Sequence, residues 1–174
     1  MSTGLPSEVE LDARGMRFAL VASRWNAAIV EDLLVGAQQA LSQRGAENVR
    51  VYRCAGAFEL APLCARVMRK GGIDGIIALS CLIRGGTDHY RLLSDEATRA
   101  LGMLALEGAT NPRAVGVTFG VLACDTLAQA QERSDPRGAD KGGEAAQACI
   151  EQVQALMQVE PEGFGGGRAA GESG

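Results

Sequence analysis

The chain has 174 residues, a formal net charge of −4 and only 4% aromatic residues. A length of this order fits one domain that buries roughly 70% of its unfolded surface. The acidic balance and the scarcity of aromatic rings argue against a nucleic-acid interface, which is normally basic. Residues 1–10 lack the basic start and apolar core of a secretory signal, and no apolar run approaches the ~18 residues of a membrane span. We therefore expect a soluble, cytoplasmic protein.

Strand and helix patterns alternate along the chain. Residues 1–15 are polar and are predicted to form an arm, followed by a domain over 16–159 and a glycine-rich disordered tail over 160–174. Apolar runs predict buried strands at 18–22, 49–54, 73–79 and 114–122. Apolar residues at helical spacing predict helices at about 27–44, 60–70, 89–104, 127–132 and 146–157. The segment 134–143 is predicted to be a polar loop.

Short polar residues mark the helix starts. Asn26 is a candidate cap for the first helix, Thr87 or Asp88 for the third, and Asp125 or Thr126 for the fourth. Strands that are apolar on both faces and alternate with helices favour a parallel sheet covered on each side, a three-layer α/β/α architecture with four strands. Ligands of such sheets bind at the carboxyl ends of the strands, here 23–26, 54–59, 80–89 and 119–126.

The stretch 80–90 carries the most distinctive pattern. It joins an apolar strand to a helix through Gly85 and Gly86, and it contains His89, the only histidine. A glycine turn at a helix start offers free backbone N–H groups and the positive end of the helix dipole, which suits a phosphate. Two glycines are more often a plain tight turn, and an isolated histidine is more often a cap or a surface residue. Their combination favours chemistry on a phosphorylated small molecule, with the imidazole as a proton carrier.

Other residues at the strand ends leave two interpretations open. The rings of Trp25, Phe58 and Phe119 fit either the core or a stack on a flat heterocycle. Glu59 fits either a helix start or a hydrogen bond to substrate hydroxyls. Arg133 and Lys141 flank a polar loop; they are either solvated charges or, if the loop folds over the glycine turn, a phosphate clamp.

The cysteines form no recognisable metal or redox motif. With one histidine and no C-x-x-C pair, no zinc set is apparent. We interpret them as small core residues in a reducing compartment. They are Cys54, Cys64, Cys81, Cys124 and Cys149.

Over about residues 16–159 the chain resembles the lumazine synthase family. The resemblance rests on ordered motifs: Ser-Arg-Trp-Asn at 23–26, Gly-Ala-Phe-Glu at 56–59, Leu-Ile-Arg-Gly-Gly-Thr-Asp-His-Tyr at 82–90, Phe-Gly-Val-Leu at 119–122, Gln-Ala-Gln-Glu-Arg at 129–133 and Asp-Lys-Gly at 140–142. It implies a flavodoxin-like fold and a transferase of riboflavin biosynthesis. That enzyme condenses 5-amino-6-ribitylamino-uracil with 3,4-dihydroxy-2-butanone 4-phosphate to 6,7-dimethyl-8-ribityllumazine, without cofactor or metal.

The resemblance also implies roles for individual residues. His89 would move protons, and Arg133 would hold the phosphate together with Gly86 and Thr87. Trp25 would stack on the pyrimidine, where many relatives have Phe, and Phe119 would reach the site of a neighbouring subunit. The implied substrate-binding set is Trp25, Ala57, Phe58, Glu59, Cys81, Leu82, Ile83, Gly86, Thr87, Phe119 and Lys141. Ala55 and Asp140 depart from the Pro and Asn common in the family, but neither change removes a chemical group from this set.

The family forms pentamers, pairs of pentamers or icosahedral shells, with active sites between subunits and riboflavin synthase as a further candidate partner. Segment 133–142 has no insertion relative to shell-forming relatives, which favours a shell. Two rival classes remain: a cage protein that has lost catalysis, and a flavodoxin-like module that binds a flavin or a phosphorylated ligand without turnover. The presence of His89 and Arg133 argues against the cage.

Overall fold

The computed structural model describes residues 10–159, which contain alternating strands and helices. The strands in this range are β1 (Arg17–Ser23), β2 (Asn48–Cys54), β3 (Gly75–Ile83) and β4 (Gly116–Cys124). The helices in this range are α1 (Ala27–Gln43), α2 (Leu60–Lys70), α3 (His89–Thr110), α4 (Leu127–Ser134) and α5 (Lys141–Gln158). The predicted tail at 160–174 and most of the predicted arm lie outside the described residues.

The strands form one parallel sheet in the order β2-β1-β3-β4. In the centre, Phe18 of β1 pairs with Gly75 of β3, and Gly75 pairs in turn with Gly116 of β4. Since all strands run in one direction, their carboxyl ends meet at a single edge. The predicted α/β/α class with a four-stranded parallel sheet is confirmed.

Two apolar cores lie on opposite faces of this sheet. Alternate residues of β1 point to opposite sides: Leu20 packs with α1 and α5, whereas Val21 packs with α2 and α3. The side chains of β3 divide in the same way, Ile77 joining the first core and Ile76 the second. The strict alternation explains why these strands are apolar on both faces.

Two strands continue beyond their predicted ends. The predicted end of β3 at Leu79 was wrong, because pairing with β4 continues to Ile83, opposite Cys124. The prediction that Phe119 lies at the end of a strand was also wrong. It lies in the middle of β4, opposite Ala78. Pairing with a neighbouring strand, which the sequence does not display, sets both ends.

The start of α5 differs from the prediction, whereas α1 and α4 begin where the sequence predicted. The polar loop ends earlier than expected, because α5 begins at Lys141 and the Asp140 carboxylate accepts a 2.9 Å hydrogen bond from the Gly143 N–H. Asn26 occupies the cap position of α1, as predicted, but its side chain makes no capping bond. Thr126, by contrast, caps α4 through a reciprocal pair with Gln129, as the sequence predicted.

Residues 10–15 are irregular, and part of this segment packs on the chain's own first core. Ala13 is fully buried, and its N–H donates to the Arg44 carbonyl at 2.8 Å. In residues 10–159, no helix is long and apolar enough to cross a membrane.

Candidate functional site

A cleft of about 510 Å³ opens at the carboxyl edge of the sheet, above the ends of β1, β2 and β3. All the predicted site residues line it except Gly86, Phe119, Arg133 and Lys141. The lining is formed by Trp25, Asn26, Gly56, Ala57, Phe58, Glu59, Cys81, Leu82, Ile83, Gly85, Thr87, His89, Tyr90 and Leu93. The cleft therefore places an indole, a carboxylate, a hydroxyl and an imidazole on one open surface.

The wall that carries Trp25 is held from below by polar contacts between strands. The hydroxyls of Ser23 and Ser80, both buried, lie 2.7 Å apart and join the ends of β1 and β3. The Trp25 N–H donates to the Ala55 carbonyl at 3.2 Å, so its backbone is anchored to the chain beyond β2. The Trp25 side chain itself is 72% exposed. This supports a contact role and disfavours the alternative of a core anchor.

Asn26 lies beside Trp25 in a left-handed conformation, with φ 55°. Asparagine tolerates this region better than most residues. Its side-chain amide donates a 2.8 Å hydrogen bond to the Cys81 carbonyl, which crosses from the end of β1 to β3. The residue predicted to cap a helix thus cross-links two strands at the base of the cleft.

The turn before α2 brings Glu59 and Trp25 together around a glycine. The Glu59 carboxylate accepts a 2.8 Å hydrogen bond from the Gly56 N–H. A Cβ at Gly56 would lie 3.2 Å from Glu59 Oε2 and 3.3 Å from Trp25 Cδ1. The glycine is therefore the residue type that fits between the indole and the carboxylate without displacing either. Phe58, on the same turn, is 56% exposed, which also disfavours a core role.

The turn between β3 and α3 carries the glycines singled out in the sequence. Gly85 and Gly86 have open space on the side where a Cβ would stand, and His89 is the first residue of α3. Asp88, one of the two predicted caps of this helix, occupies the cap position, but its side chain makes no capping bond. Gly86 lines a shallower depression on the other side of the turn, together with Thr87 and Tyr90. The turn is thus accessible from two sides at the amino end of a 22-residue helix.

Three of the predicted site residues lie away from the cleft. Arg133 and Lys141 line a depression beside the end of β4, with Cys124 and Asp125. Phe119, 46% exposed, lines a further groove between β4 and α5, which Lys141 also borders. These three side chains form a second group on the β4 side of the molecule.

Lys141 is positioned by close packing between α5 and α1. A Cβ at Gly142 would overlap the Leu33 carbonyl oxygen, and one at Gly36 would overlap the Asp140 carboxylate. The ammonium of Lys141 forms a 2.6 Å ion pair with Glu144. Gly142 therefore allows α5 to pack closely against α1, and this close packing fixes the position of the neighbouring Lys141.

All five cysteines are free and buried, as the sequence predicted. Burial, with the neighbouring Cys124 as a second cause, raises the pKa of the Cys81 thiol to about 12. Burial likewise raises the pKa values of Cys64 and Cys149 to about 12. Cys81 therefore offers the site its backbone carbonyl and not a thiolate.

The predicted site residues did not include Gly56, Gly85 or Leu93, and they also lacked two polar residues of the cleft, Asn26 and Tyr90. Both lie next to predicted site residues, Asn26 after Trp25 and Tyr90 after His89, and adjacency within the two motifs was the available signal. Their position in the cleft depends on contacts between different elements, which the linear pattern does not contain.

The sequence is similar to proteins of one named family. A family model described as 6,7-dimethyl-8-ribityllumazine synthase matches residues 15–157. A protein of that name from Anaeromyxobacter sp. strain Fw109-5 is 41% identical over 87% of this chain and 91% of its own length. Proteins of the same name from Kineococcus radiotolerans and Prosthecochloris aestuarii are 42% and 41% identical, over 88% and 87% of this chain and 93% and 96% of their own lengths.

Proposed function

The chain belongs to the 6,7-dimethyl-8-ribityllumazine synthase family, and we propose that the cleft at the carboxyl edge of its sheet is the substrate site of this enzyme of riboflavin biosynthesis. The observation that carries the proposal is the convergence of Trp25, Glu59, Thr87 and His89 on that single cleft. An aromatic ring, a polyol and a phosphate are the three parts that the two substrates present. Each has a chemically suited partner there.

The reaction joins 5-amino-6-ribitylamino-uracil to 3,4-dihydroxy-2-butanone 4-phosphate. The 5-amino group attacks the ketone, and loss of water gives an imine. Elimination of phosphate gives an enol, which becomes a new carbonyl. The ribityl-bearing nitrogen attacks that carbonyl, and a further loss of water closes the second ring. The steps require proton transfers at nitrogen and oxygen and the departure of one anion.

The uracil fits the wall formed by Trp25 and the ends of β1 and β3. The exposed indole offers a face for stacking, and Leu82 and Ile83, which line the same cleft, would border the edge of the stacked ring. The ribityl chain would extend toward Ala57, Phe58 and Glu59. One carboxylate oxygen of Glu59 accepts a hydrogen bond from the Gly56 N–H. This bond orients the other oxygen toward a substrate hydroxyl.

The phosphate fits the turn 85–87 at the amino end of α3. Free N–H groups and the helix dipole favour an anion there, and the Thr87 hydroxyl adds a donor. His89 follows directly, as the first residue of α3, and lines the same cleft. We assign proton transfer to His89 because imidazole exchanges protons near neutral pH.

We further propose that a second copy of the chain completes the site. Phe119, Arg133 and Lys141 lie on the β4 side, outside the cleft of their own chain, and β4 is an edge strand. A patch on one side and an acceptor cleft elsewhere make a head-to-tail interface, which forms a ring when the rotation between copies closes. A pentameric ring, alone or in a larger shell, would place Arg133 of one copy at the phosphate turn of the next.

The proposed activity is tested by mixing the purified protein with both substrates and following lumazine fluorescence above the uncatalysed background. His89→Ala should lower kcat by up to ~10²–10⁴-fold, and residual turnover should remain because substrate positioning persists. Arg99→Ala, which alters an exposed arginine of α3, is the control. Background product alone from a folded protein would refute the enzyme, and an unchanged rate in His89→Ala would remove His89 from the mechanism.

Hybrid oligomers test the shared site separately. His89→Ala and Arg133→Ala chains are unfolded and refolded together, so that some interfaces combine an intact His89 with an intact Arg133. If the second copy supplies Arg133, about a quarter of the interfaces are intact, and the activity of the mixture rises well above the residual activity of either parent. If Arg133 serves its own chain, mixing restores nothing. Light scattering of the wild-type protein distinguishes a pentamer from a shell.

A further inference from the structure

The turn that would receive the phosphate has few restraints of its own. Within the described range, Gly85, Gly86 and Thr87 make no hydrogen bond, and a Cβ placed on either glycine would meet no atom within 4 Å beyond its chain neighbours. The Asp88 carbonyl accepts from the Leu92 N–H at 3.1 Å, which fixes only the helix end of the turn. An anion site needs its donors in a fixed arrangement, so the contacts of the residues that flank this turn decide how well it is restrained.

Arg84 supplies that restraint through three contacts. Its N–H donates to the Cys124 carbonyl at 2.9 Å, and its Nε donates to Asp125 Oδ1 at 2.6 Å. Its guanidinium carbon lies 5.0 Å from the centre of the Tyr90 ring, a cation–π distance. Arg84 thus links the end of β3 to the end of β4 and to the first turn of α3, on both sides of the glycines.

The acceptor of this pair is itself held in place. The Asp125 N–H donates to the Gln129 side chain at 2.9 Å, and Gln129 also takes part in the capping box of α4. Helix α4 carries Arg133. The Arg84–Asp125 pair therefore connects the turn that precedes His89 to the helix that bears the other predicted phosphate ligand.

The Arg84–Asp125 pair is too exposed to contribute much to the stability of the fold. The side chains of Arg84 and Asp125 are each 61% exposed, and ion pairs so exposed contribute little to the free energy of folding. Loss of the pair should therefore leave the fold intact and affect the arrangement of the turn.

We propose that Arg84 is a positioning residue that, through Asp125 and Tyr90, holds the turn 85–88 in the arrangement that binds the phosphate of the ketone substrate. This inference rests on the proposed function. Arg84 itself would contact neither substrate. Its consequence is specific to one substrate, because the turn borders the phosphate half of the cleft and not the Trp25 wall.

The test compares steady-state kinetics of the wild-type enzyme with those of Arg84→Ala, Arg84→Lys and Asp125→Asn. Arg84→Ala should raise the KM for the butanone phosphate ~10-fold and change the KM for the diaminouracil less than ~2-fold. Arg84→Lys keeps the positive charge but lacks the planar guanidinium, so its KM for the butanone phosphate should lie between those of the wild type and Arg84→Ala. Asp125→Asn should shift the same KM in the same direction, which guards against a folding defect peculiar to one variant.

Arg99→Ala is the matched control, since Arg99 is 61% exposed and forms a 2.6 Å ion pair with Glu96 on the outer face of α3. It should leave both KM values unchanged. Unchanged KM values in Arg84→Ala, or equal increases for both substrates, would overturn the inference. An inactive wild-type enzyme would instead overturn the proposed function, so the two failures are distinguishable.

Discussion

The hydroxyl groups of Ser23 and Ser80 lie 2.7 Å apart in the interior, where they join β1 to β3. Ser80 is followed by Cys81 and Ser23 by Arg24 and Trp25, so the pair stands immediately below the cleft. Both side chains are buried, at 0% and 1% exposure. A buried hydroxyl needs a partner, and here each serves the other.

Replacing one member of this pair should cost more than replacing both. Ser23→Ala or Ser80→Ala leaves a buried hydroxyl unpaired, which we expect to lower the free energy of unfolding by about 1–3 kcal/mol. The double variant removes both polar groups and should be closer to wild type than the sum of the single variants. Urea unfolding of the four proteins at one protomer concentration gives the coupling. Strictly additive losses would mean that each hydroxyl has another partner.

A methyl group at Gly142 should disturb both packing and the site. In Gly142→Ala the new Cβ meets the Leu33 carbonyl, and backbone cannot move aside as a flexible side chain does. We expect a loss of about 1–3 kcal/mol in unfolding free energy and a shift of Lys141.

Gly102→Ala is the control for this substitution. Gly102 lies inside α3 with open space around it, so alanine should stabilise the helix by about 0.5–1 kcal/mol. Thermal unfolding of both variants checks the opposite signs. A stabilised Gly142→Ala would show that α1 and α5 separate easily.

The sequence predicted the sheet because its signals are local. The apolar run that forms β1 and the capping residue Thr126 act within a few residues of themselves. It also predicted most of the cleft, since the carboxyl ends of parallel strands must share an edge.

What the sequence could not predict depends on contacts between elements. The last residues of β3 are extended because β4 lies beside them, and α5 begins at Lys141, where Gly142 packs against the Leu33 carbonyl of α1 and the Gly143 N–H donates to the Asp140 carboxylate. In the linear pattern those glycines resemble a loop. Asn26 resembled a cap, but its amide is directed to the Cys81 carbonyl on another strand.

The carboxylate of Asp74 should make stability depend on pH. Asp74 is 4% exposed, and burial alone would raise its pKa, but hydrogen bonds from Arg17 outweigh burial and hold the pKa below its ordinary value. A carboxyl whose pKa is lower in the folded state stabilises above its unfolded pKa of about 3.9. That stabilisation is lost as the pH falls through the folded-state pKa.

Asp74→Asn should therefore lower the unfolding free energy by about 1.5–3 kcal/mol at pH 7, and the difference from wild type should shrink below about pH 4. Urea unfolding at pH 7 and below about pH 4 measures this difference in unfolding free energy. Glu96→Gln, in an exposed pair with Arg99, should have little effect at either pH. A difference for Asp74→Asn that is equal at both pH values would mean that the carboxylate charge is not what stabilises the fold.

Gly56→Ala should weaken binding of the diaminouracil and leave the phosphate half of the site unchanged. The added methyl would lie 3.3 Å from Trp25 Cδ1 and 3.2 Å from Glu59 Oε2, closer than such contacts usually are. Because the indole is 72% exposed, it can move aside, and the turn stays folded. We expect the KM for the diaminouracil to rise ~10-fold, with the KM for the butanone phosphate within ~2-fold of wild type.

Trp25 is the only tryptophan, so a change in intrinsic fluorescence would report its displacement directly. Gly102→Ala should change neither quantity, and an altered fluorescence with an unchanged diaminouracil KM would show that the indole does not contact that substrate.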